Sequence, residues 1–249
     1  MQSIIFLLIG FLPMQLNPKP GFHSHNDYVH SRPLVEALEQ GFDSVEADVF
    51  LVKNDLLVGH YPWEIKPGRT LESLYLSPLS KLHKDGKLKK TWLMIDIKSS
   101  EAEASAILID QQLRRFPGLI AKIADKDDEA PVKVLLSGNI PRQWVFSGKS
   151  NLLRMDGRLA DLGDLAHSEI IPWVSEPWSK HFSWKGKGPI SENEKNKLKD
   201  MARKAASAKQ ELRFWGAPDL PECWKIQAET GVQRIGTDNL KGLAGVKFN

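Results

Sequence analysis

The stretch SVEADVF, residues 44–50, is a short, mostly apolar run that contains two acidic residues. Runs of this length and composition are typical of β-strands. Because successive side chains of a strand point to opposite faces, Glu46 and Asp48 share one face. An acidic pair on a buried strand is costly without a compensating partner, and a bound divalent cation would supply one. The stretch therefore predicts a buried strand and a candidate metal site together.

From Gly21 onward, strand-like runs alternate with helical patterns, which is typical of β/α units and a parallel sheet. The predicted strands, eight main ones and a short extra one, are Phe22 to Ser24, Ser44 to Phe50, Leu56 to Gly59 (the extra strand), Trp92 to Ile97, Lys133 to Leu136, Leu152 to Met155, Ile170 to Val174, Leu212 to Trp215 and Arg234 to Gly236. The predicted helices are Pro33 to Gln40, Ser99 to Phe116 and Ser191 to Lys209.

This order of elements predicts an α/β fold, a single-domain (β/α)8 TIM barrel over residues 21–249. Eight strands and their helices fit within about 230 residues of such a barrel. A doubly wound sheet is the alternative, but the sequence lacks the glycine-rich nucleotide loop of that fold.

The composition excludes several classes of protein. The single cysteine, Cys223, rules out an internal disulfide framework and a cysteine-rich zinc site. A net charge of +3 is too small to indicate nucleic-acid binding. The apolar run Ile4 to Pro13 is too short to span a bilayer and resembles the core of a secretory signal. Residues 1–20 are therefore predicted to be the leader of an exported protein, periplasmic or secreted, with a buried N-terminal strand as the alternative.

Further polar residues follow the predicted strands at the end where barrel enzymes carry their catalytic groups. The first strand ends in HSHND, residues 23–27, which includes His25. The extra strand ends at His60, and the next strand, WLMIDIK, ends with Asp96 and Lys98 on one face. Each residue alone has an ordinary explanation, such as a surface ion pair or a hydrogen-bonded loop. Their joint placement at the ends of neighbouring strands predicts one site.

The residue types at this site indicate its chemistry. Three carboxylates form a hard oxygen cage that suits Mg²⁺ or Ca²⁺ better than zinc. Two histidines beside that cage are natural proton donors and acceptors near neutral pH. The predicted cofactor is therefore a divalent cation, Mg²⁺ or Ca²⁺, and the predicted chemistry is acid–base catalysis beside it.

The motifs HSHNDY, VEADVF, VGH and MIDIK resemble those of the phospholipase C-like phosphodiesterase superfamily. That superfamily includes glycerophosphodiester phosphodiesterases, phosphatidylinositol phospholipases C and sphingomyelinase D-type enzymes. The segments RFWGAPD and IGTDN continue the resemblance toward the C-terminus, and the HNDY-type proteins are the most similar subgroup. The resemblance implies hydrolysis of a small-molecule or lipid phosphodiester.

The resemblance also implies a role for each matching residue. His25 and His60 correspond to the catalytic pair, and Glu46, Asp48 and Asp96 to the metal ligands. The implied substrate contacts are Lys98, Asn26, Trp215 and Arg213, of which the asparagine corresponds to a metal ligand in the phosphatidylinositol-specific branch. Two departures leave the substrate open: His-Asn-Asp replaces the His-Arg-Gly usual in the glycerophosphodiesterase branch, and an aspartate replaces the glutamate usual at the third acid.

Two other functions compete with this interpretation. A binuclear metal hydrolase of the amidohydrolase or polymerase-histidinol-phosphatase type would use His23, His25 and Asp238, but the strands near Leu152 and Ile170 lack the further histidines it needs. A catalytically silent barrel that serves as a binding protein is the other alternative. All members of the catalytic set are present, which favours an enzyme.

Contact with a membrane surface is a further expectation. The aromatic residues Trp178, Phe182 and Trp184 lie in a long predicted loop, Ser175 to Pro189. They would either touch a lipid surface transiently or pack beneath that loop. The sequence leaves both possibilities open.

Overall fold

The computed structural model describes residues 19–125 and 129–248. The predicted signal core, Ile4 to Pro13, lies outside the described residues. Nine strands form the sheet: β1 (Gly21–Ser24), β2 (Ser44–Val52), β3 (Asp55–Val58), β4 (Thr91–Ile97), β5 (Val132–Gly138), β6 (Leu153–Gly157), β7 (Trp173–Pro177), β8 (Glu211–Trp215) and β9 (Arg234–Thr237).

Eight of these strands close into a parallel barrel. Each pairs in parallel with its neighbour in the order β1, β2, β4, β5, β6, β7, β8, β9, and β9 pairs with β1 to complete the circle. The remaining strand, β3, extends β2 as an antiparallel hairpin, with Val49 opposite Val58. The (β/α)8 barrel and the extra strand predicted from the sequence are therefore confirmed.

Helices connect the strands and cover the outside of the barrel. The α-helices are α1 (Val35–Glu39), α2 (Ser77–Lys84), α3 (Ala102–Leu113), α4 (Arg142–Phe146), α5 (Glu192–Ser207), α6 (Pro221–Glu229) and α7 (Leu240–Ala244). A π-helical turn, Glu72–Leu76, precedes α2, and single 3-10 turns occur at Asp27–Val29, Leu159–Asp161 and Trp178–Lys180. Over the described ranges, none of the helices is both long enough and apolar enough to span a membrane.

Apolar side chains fill the interior of the barrel near its floor. Met94, Leu135 and Trp173 are fully buried inside it. Below them, the Arg234 guanidinium lies 4.5 Å from the centre of the Trp173 ring and pairs with the carboxylate of Glu211 at 2.6 Å. This end of the barrel therefore holds an apolar layer with an ion pair beneath it.

The position of β7 differs from the prediction. The expected strand, Ile170 to Val174, lies three residues too early, because the true strand is Trp173–Pro177. Pro172 has no N–H for a sheet ladder, and its carbonyl accepts a hydrogen bond from the Glu211 N–H at 2.7 Å just where pairing with β8 begins. The shift places Ser175 and Glu176 in the strand.

The aromatic residues of the loop after β7 belong to the interior. Trp178 packs against Phe182 with ring centres 4.3 Å apart and against Phe214 at 5.6 Å. The Trp178 indole N–H donates to the carbonyl of Trp184 at 3.0 Å. All three loop aromatics are buried, so the packing alternative is confirmed. Helix α5 begins with a side-chain cap, in which the Glu194 N–H donates to the Ser191 hydroxyl at 3.2 Å.

Candidate active site

Three carboxylates meet at the end of the barrel where the strands finish. Glu46 and Asp48 lie on the inner face of β2, and Asp96 lies on β4 directly opposite Asp48 in the strand register. Each offers an oxygen, and these oxygens all lie within 4.8 Å of one another. In the part of the chain that the structure describes, no other group of three or more histidine, cysteine or acidic residues has this arrangement.

Two permanently charged side chains partly neutralise the three acids. The Arg213 guanidinium, from β8, lies 3.0 Å from Glu46 Oε2. The Lys98 ammonium lies 3.0 Å from Asp48 Oδ2 and 3.2 Å from Asp96 Oδ1. The sequence pattern predicted a divalent cation as the compensating partner of the acidic pair, and the structure adds these two side chains. The lysine and the arginine supply two of the three charges needed.

The negative charge that remains on the cluster affects the hydrogen bonding and the pKa values of the acids. Asp48 Oδ1 is buried and has no hydrogen-bond partner within the described ranges. Burial and the charge of Glu46 raise the pKa of Asp48, and the same two causes raise the pKa of Asp96 to about 6. Glu46 differs: burial opposes its ionisation, but the Arg213 charge holds the pKa of that carboxyl below its usual range.

These features fit a hard divalent cation. The donors are carboxylate oxygens, which Mg²⁺ and Ca²⁺ prefer. One of those oxygens is an orphaned buried acceptor, which indicates a missing positive partner. Glu46, Asp48 and Asp96 would hold the ion, because their carboxylates are the closely grouped set.

His23 sits beneath this cluster and orients it. Its ring is fully buried, with Nδ1 2.7 Å from the Ser44 hydroxyl and Nε2 2.8 Å from Glu46 Oε2. Burial, followed by the nearby charge of Arg213, lowers the pKa of His23 to about 3, so the ring is neutral at physiological pH. Both ring nitrogens are engaged, which argues against the binuclear hydrolase that would use His23 as a ligand.

Two further histidines flank the carboxylates, and each has one ring nitrogen tied to an acid. His25 Nδ1 lies 2.8 Å from Asp238 Oδ1, and His60 Nδ1 lies 2.7 Å from Asp48 Oδ2. Because a carboxylate only accepts hydrogen bonds, Nδ1 carries the proton in both contacts, which leaves Nε2 as the basic ring nitrogen. Burial lowers the pKa of His25, but the hydrogen bond to Asp238 and the charge of Glu46 outweigh it, so the pKa lies above its usual value.

The loop after β1 is built to present this arrangement. Asn26 adopts a left-handed backbone conformation, with φ of 48°, and its side chain lies 3.1 Å from His25 Nδ1. The hydroxyl of Tyr28 contacts both Asn26 Oδ1 and Asp48 Oδ2 at 2.9 Å. The buried carboxylate of Asp27 anchors the loop by accepting a hydrogen bond from the Leu34 N–H at 2.5 Å.

The residues predicted to contact substrate fall into two groups. Lys98 and Asn26 lie among the carboxylates and histidines. Trp215 is about half exposed, at 47%, and lines a small cleft of about 80 Å³ together with His25 and Asp238. Arg213 also borders that cleft, but it is 3% exposed and its partner is Glu46, so it contacts the carboxylate cluster.

Some contributing residues were not predicted. Asp238 entered the sequence analysis only as a marker of the rival hydrolase, and here it orients His25. Tyr28 lies inside the HNDY motif, yet nothing in the sequence indicates that its hydroxyl reaches Asp48. Gly138, at the end of β5, has φ of 69°, and a β-carbon there would overlap the Asp96 carboxylate. The sequence signal that could have identified this position was a glycine at the end of a strand.

Comparison with known proteins agrees with this geometry. The family model described as an AIM6-like phosphodiesterase domain matches residues 14–91. "Altered inheritance of mitochondria protein 6" of Lachancea thermotolerans is 29% identical over 289 residues, covering 94% of this chain and 67% of that protein. Its homologue in Arthroderma benhamiae is 26% identical over 263 residues, covering 90% of this chain and 82% of that protein.

A solved structure shows the same fold. The glycerophosphodiester phosphodiesterase of Agrobacterium tumefaciens superposes with a TM-score of 0.52 at 13% identity, covering 90% of this chain and 97% of that one. At this identity the match speaks for the barrel alone. The family model and the relatives support the resemblance to the phosphodiesterase superfamily that the motifs predicted, and the solved structure supports the predicted barrel.

Proposed function

We propose that this protein is a metal-dependent phosphoric diester hydrolase that uses Mg²⁺ or Ca²⁺ and acts on a glycerophosphodiester- or phospholipid-type substrate. One observation carries the proposal. Glu46, Asp48 and Asp96 form a carboxylate cluster, and His25 and His60 flank it with Nδ1 tied to an acid and Nε2 left for the substrate. A site with this composition combines a place for a Lewis acid with two proton-transfer groups.

The charges of the site favour a diester over a monoester. Three carboxylates face two permanent cations, Lys98 and Arg213, and His23 is neutral. The cluster therefore keeps one negative charge, which a divalent cation would convert into one positive charge. A phosphodiester carries a single negative charge and would neutralise such a site, whereas a phosphomonoester carries nearly two near neutral pH.

The residues of the chain divide the chemical work. A cation held by the three carboxylates supplies neutralisation of phosphate charge in the transition state. Lys98 adds a second positive contact to a non-bridging phosphate oxygen. One histidine accepts a proton at Nε2 from the attacking hydroxyl, and the other donates a proton from Nε2 to the departing alkoxide. The attacking hydroxyl belongs to water, or to the substrate itself when a neighbouring hydroxyl is present, and the latter gives a cyclic phosphate.

A phosphorus NMR assay over a panel of phosphodiesters tests the proposal. The wild-type protein with Mg²⁺ or Ca²⁺ is expected to convert at least one diester to a monoester or a cyclic phosphate. His25→Ala and His60→Ala should each lower kcat by about 100-fold or more, the usual contribution of a positioned acid or base. His167→Ala is the matched control, because His167 also pairs with an acid, Asp164, but lies outside the site.

Two results would contradict the proposal. Either histidine variant could retain full activity on a diester that the wild-type protein cleaves. Alternatively, the control variant could lose as much activity as the two site variants, which would remove the assignment of acid and base to the pair.

A further inference from the structure

A large cavity lies at the end of the barrel opposite the carboxylate cluster. Its volume is about 1210 Å³. Part of its wall comes from the points where barrel strands begin, at Gly21, Asp43, Glu211 and Arg234. Helix α5 forms another part. This cavity, called here the basal cavity, has ample room for an organic ligand, since small-molecule sites usually occupy roughly 300–1,000 Å³.

The inner wall of the basal cavity is held rigidly around Arg234. The Arg234 guanidinium pairs with Asp43 at 2.5 Å and with Glu211 at 2.6 Å. It also lies over the ring of Trp173, 4.5 Å from the ring centre. Strand β1 runs directly against it, because a β-carbon at Gly21 would overlap the guanidinium. The cavity is therefore formed before any ligand arrives, as most small-molecule sites are.

The neutral polar side chains of the basal cavity are already hydrogen-bonded. The Thr230 hydroxyl donates to the carbonyl of Ile226 at 2.7 Å. The Gln233 side chain accepts the Leu212 N–H at 2.9 Å and donates to the carbonyl of Ala202 at 2.9 Å. The two acids of the wall are paired with its buried arginine, as described above. These groups therefore have little capacity to recognise a ligand.

Three further side chains of the lining are cations: Lys19, Lys199 and Arg203. The Lys19 ammonium lies 4.9 Å from the centre of the Phe22 ring. Among the described residues, neither lysine forms an ion pair with a carboxylate. Arg203 contacts Asp200 through one nitrogen, at 2.7 Å, which leaves N–H groups on its other nitrogens. Over the described ranges, the lining therefore carries positive charge that is not compensated.

Apolar surface accompanies these cations. On α5, Lys199, Ala202, Arg203 and Ala206 are three or four residues apart and share the face that lines the cavity. The two alanines have small side chains, so they leave space beside the cations. Phe22 adds an aromatic ring to the lining. Positive charge and apolar surface thus face the same space.

We propose that the basal cavity is a second binding site, which takes an organic anion that carries an apolar group. The anionic end would pair with Lys19 and Lys199, and the apolar part would lie against Phe22 and the alanines of α5. The apolar layer of Met94, Leu135 and Trp173 separates this site from the carboxylate cluster. A ligand bound there would not touch the residues of the proposed hydrolytic site.

Fluorescence titration of the full chain with 8-anilinonaphthalene-1-sulfonate tests the proposal, because this dye joins a sulfonate to apolar rings and brightens in apolar surroundings. The wild-type protein should bind it saturably. Lys199→Glu should weaken binding about fivefold, because repulsion replaces attraction at an exposed site. Ala206→Trp should remove saturable binding, since an indole would fill part of the cavity. Lys225→Glu, on the exposed surface of α6, is the matched control for the charge reversal.

Two comparisons locate the dye and test the need for its charge. N-phenyl-1-naphthylamine lacks the sulfonate, so it should bind the wild-type protein at least about fivefold more weakly. Trp63→Ala should bind the dye as wild type does, because Trp63 is an exposed ring, at 77%, on the loop after β3 at the other end of the barrel.

Four results would overturn the proposal. The first is a wild-type protein that shows no saturable binding, and the second is equal affinity for the dye and its uncharged analogue. The third is unchanged binding in Lys199→Glu. The fourth is a loss in Lys225→Glu or Trp63→Ala as large as the loss in Lys199→Glu.

Discussion

Replacing Asp96 by asparagine should stabilise the protein when no divalent cation is present. The Asp96 side chain is 15% exposed and lies close to two other acids. Its pKa of about 6, against a usual 3.8, means that keeping it ionised at pH 7.5 costs about 3 kcal/mol. Asparagine has nearly the same shape and carries no charge. The free energy of unfolding of Asp96→Asn in a chelator should therefore exceed that of wild type by up to about 3 kcal/mol at pH 7.5.

The pH dependence follows from the direction of this shift. An acid whose pKa is higher in the folded state binds its proton more tightly there, so wild-type stability falls as the pH rises from about 4 to about 6. The advantage of Asp96→Asn should vanish near pH 4, where the wild-type carboxyl is protonated. Thermal unfolding in chelator at pH 7.5 and at pH 4 measures this advantage. For a chain of this size, the melting temperature is expected to shift by about 2–4 °C per kcal/mol.

A divalent cation should reverse the order of the two proteins. At a free cation concentration 1,000 times Kd, the wild-type protein gains about 4.1 kcal/mol, more than the advantage of the variant in chelator, and the variant, lacking a ligand, gains far less. Asp200→Asn on the exposed face of α5 is the control, with an expected change within about 0.5 kcal/mol. An Asp96→Asn variant that is no more stable than wild type in chelator at pH 7.5 would refute the idea that the three acids form a strained, cation-seeking cluster.

Three other substitutions probe the support around the site. Arg213→Met should lower the free energy of unfolding, measured in urea, by about 3–5 kcal/mol, because it leaves the buried Glu46 without its counter-charge. Adding Glu46→Gln to this variant should recover part of the loss. If the double variant recovered nothing, the arginine and the glutamate would not interact. Gly138→Ala should weaken calorimetric Mg²⁺ binding about tenfold or more without unfolding the protein, since its β-carbon would displace the third acid; unchanged affinity would contradict that contact. Asp238→Asn should lower the pKa of the His25 imidazole in an NMR titration, because it removes the carboxylate that raises it, and an unaltered titration would exclude that pairing.

The barrel was predictable from sequence because its strands are marked by local pattern. The apolar runs that form β2 and β4 are long and clearly bounded, and both were located within two residues. The strand β7 was misplaced by three residues, because Ile170 and Ile171 extend the apolar run on the wrong side of Pro172. Hydrophobicity alone could not show that the pairing partner, β8, begins its ladder at that proline.

The residues of the candidate site were largely predictable from sequence, but the contacts between their side chains were less so. Side-chain alternation placed Glu46 and Asp48 on one face, and parallel register brought Asp96 beside them. The contacts that set the charges join residues far apart in the chain: Arg213 is 167 positions from Glu46, and Asp238 is 213 positions from its histidine. Such pairings depend on closure of the barrel, which no local motif encodes.

The central claim is that the carboxylate cluster holds a divalent cation on which diester hydrolysis depends. Its most direct test is hydrolysis of bis-p-nitrophenyl phosphate by protein treated with a chelator and then titrated with Mg²⁺ or Ca²⁺. A Glu46→Gln variant that retains the wild-type fold is assayed in the same way. We expect negligible activity after chelation, saturable recovery with at least one of the two ions, and no recovery in the variant. Full activity after complete chelation, or equal recovery in Glu46→Gln, would contradict it.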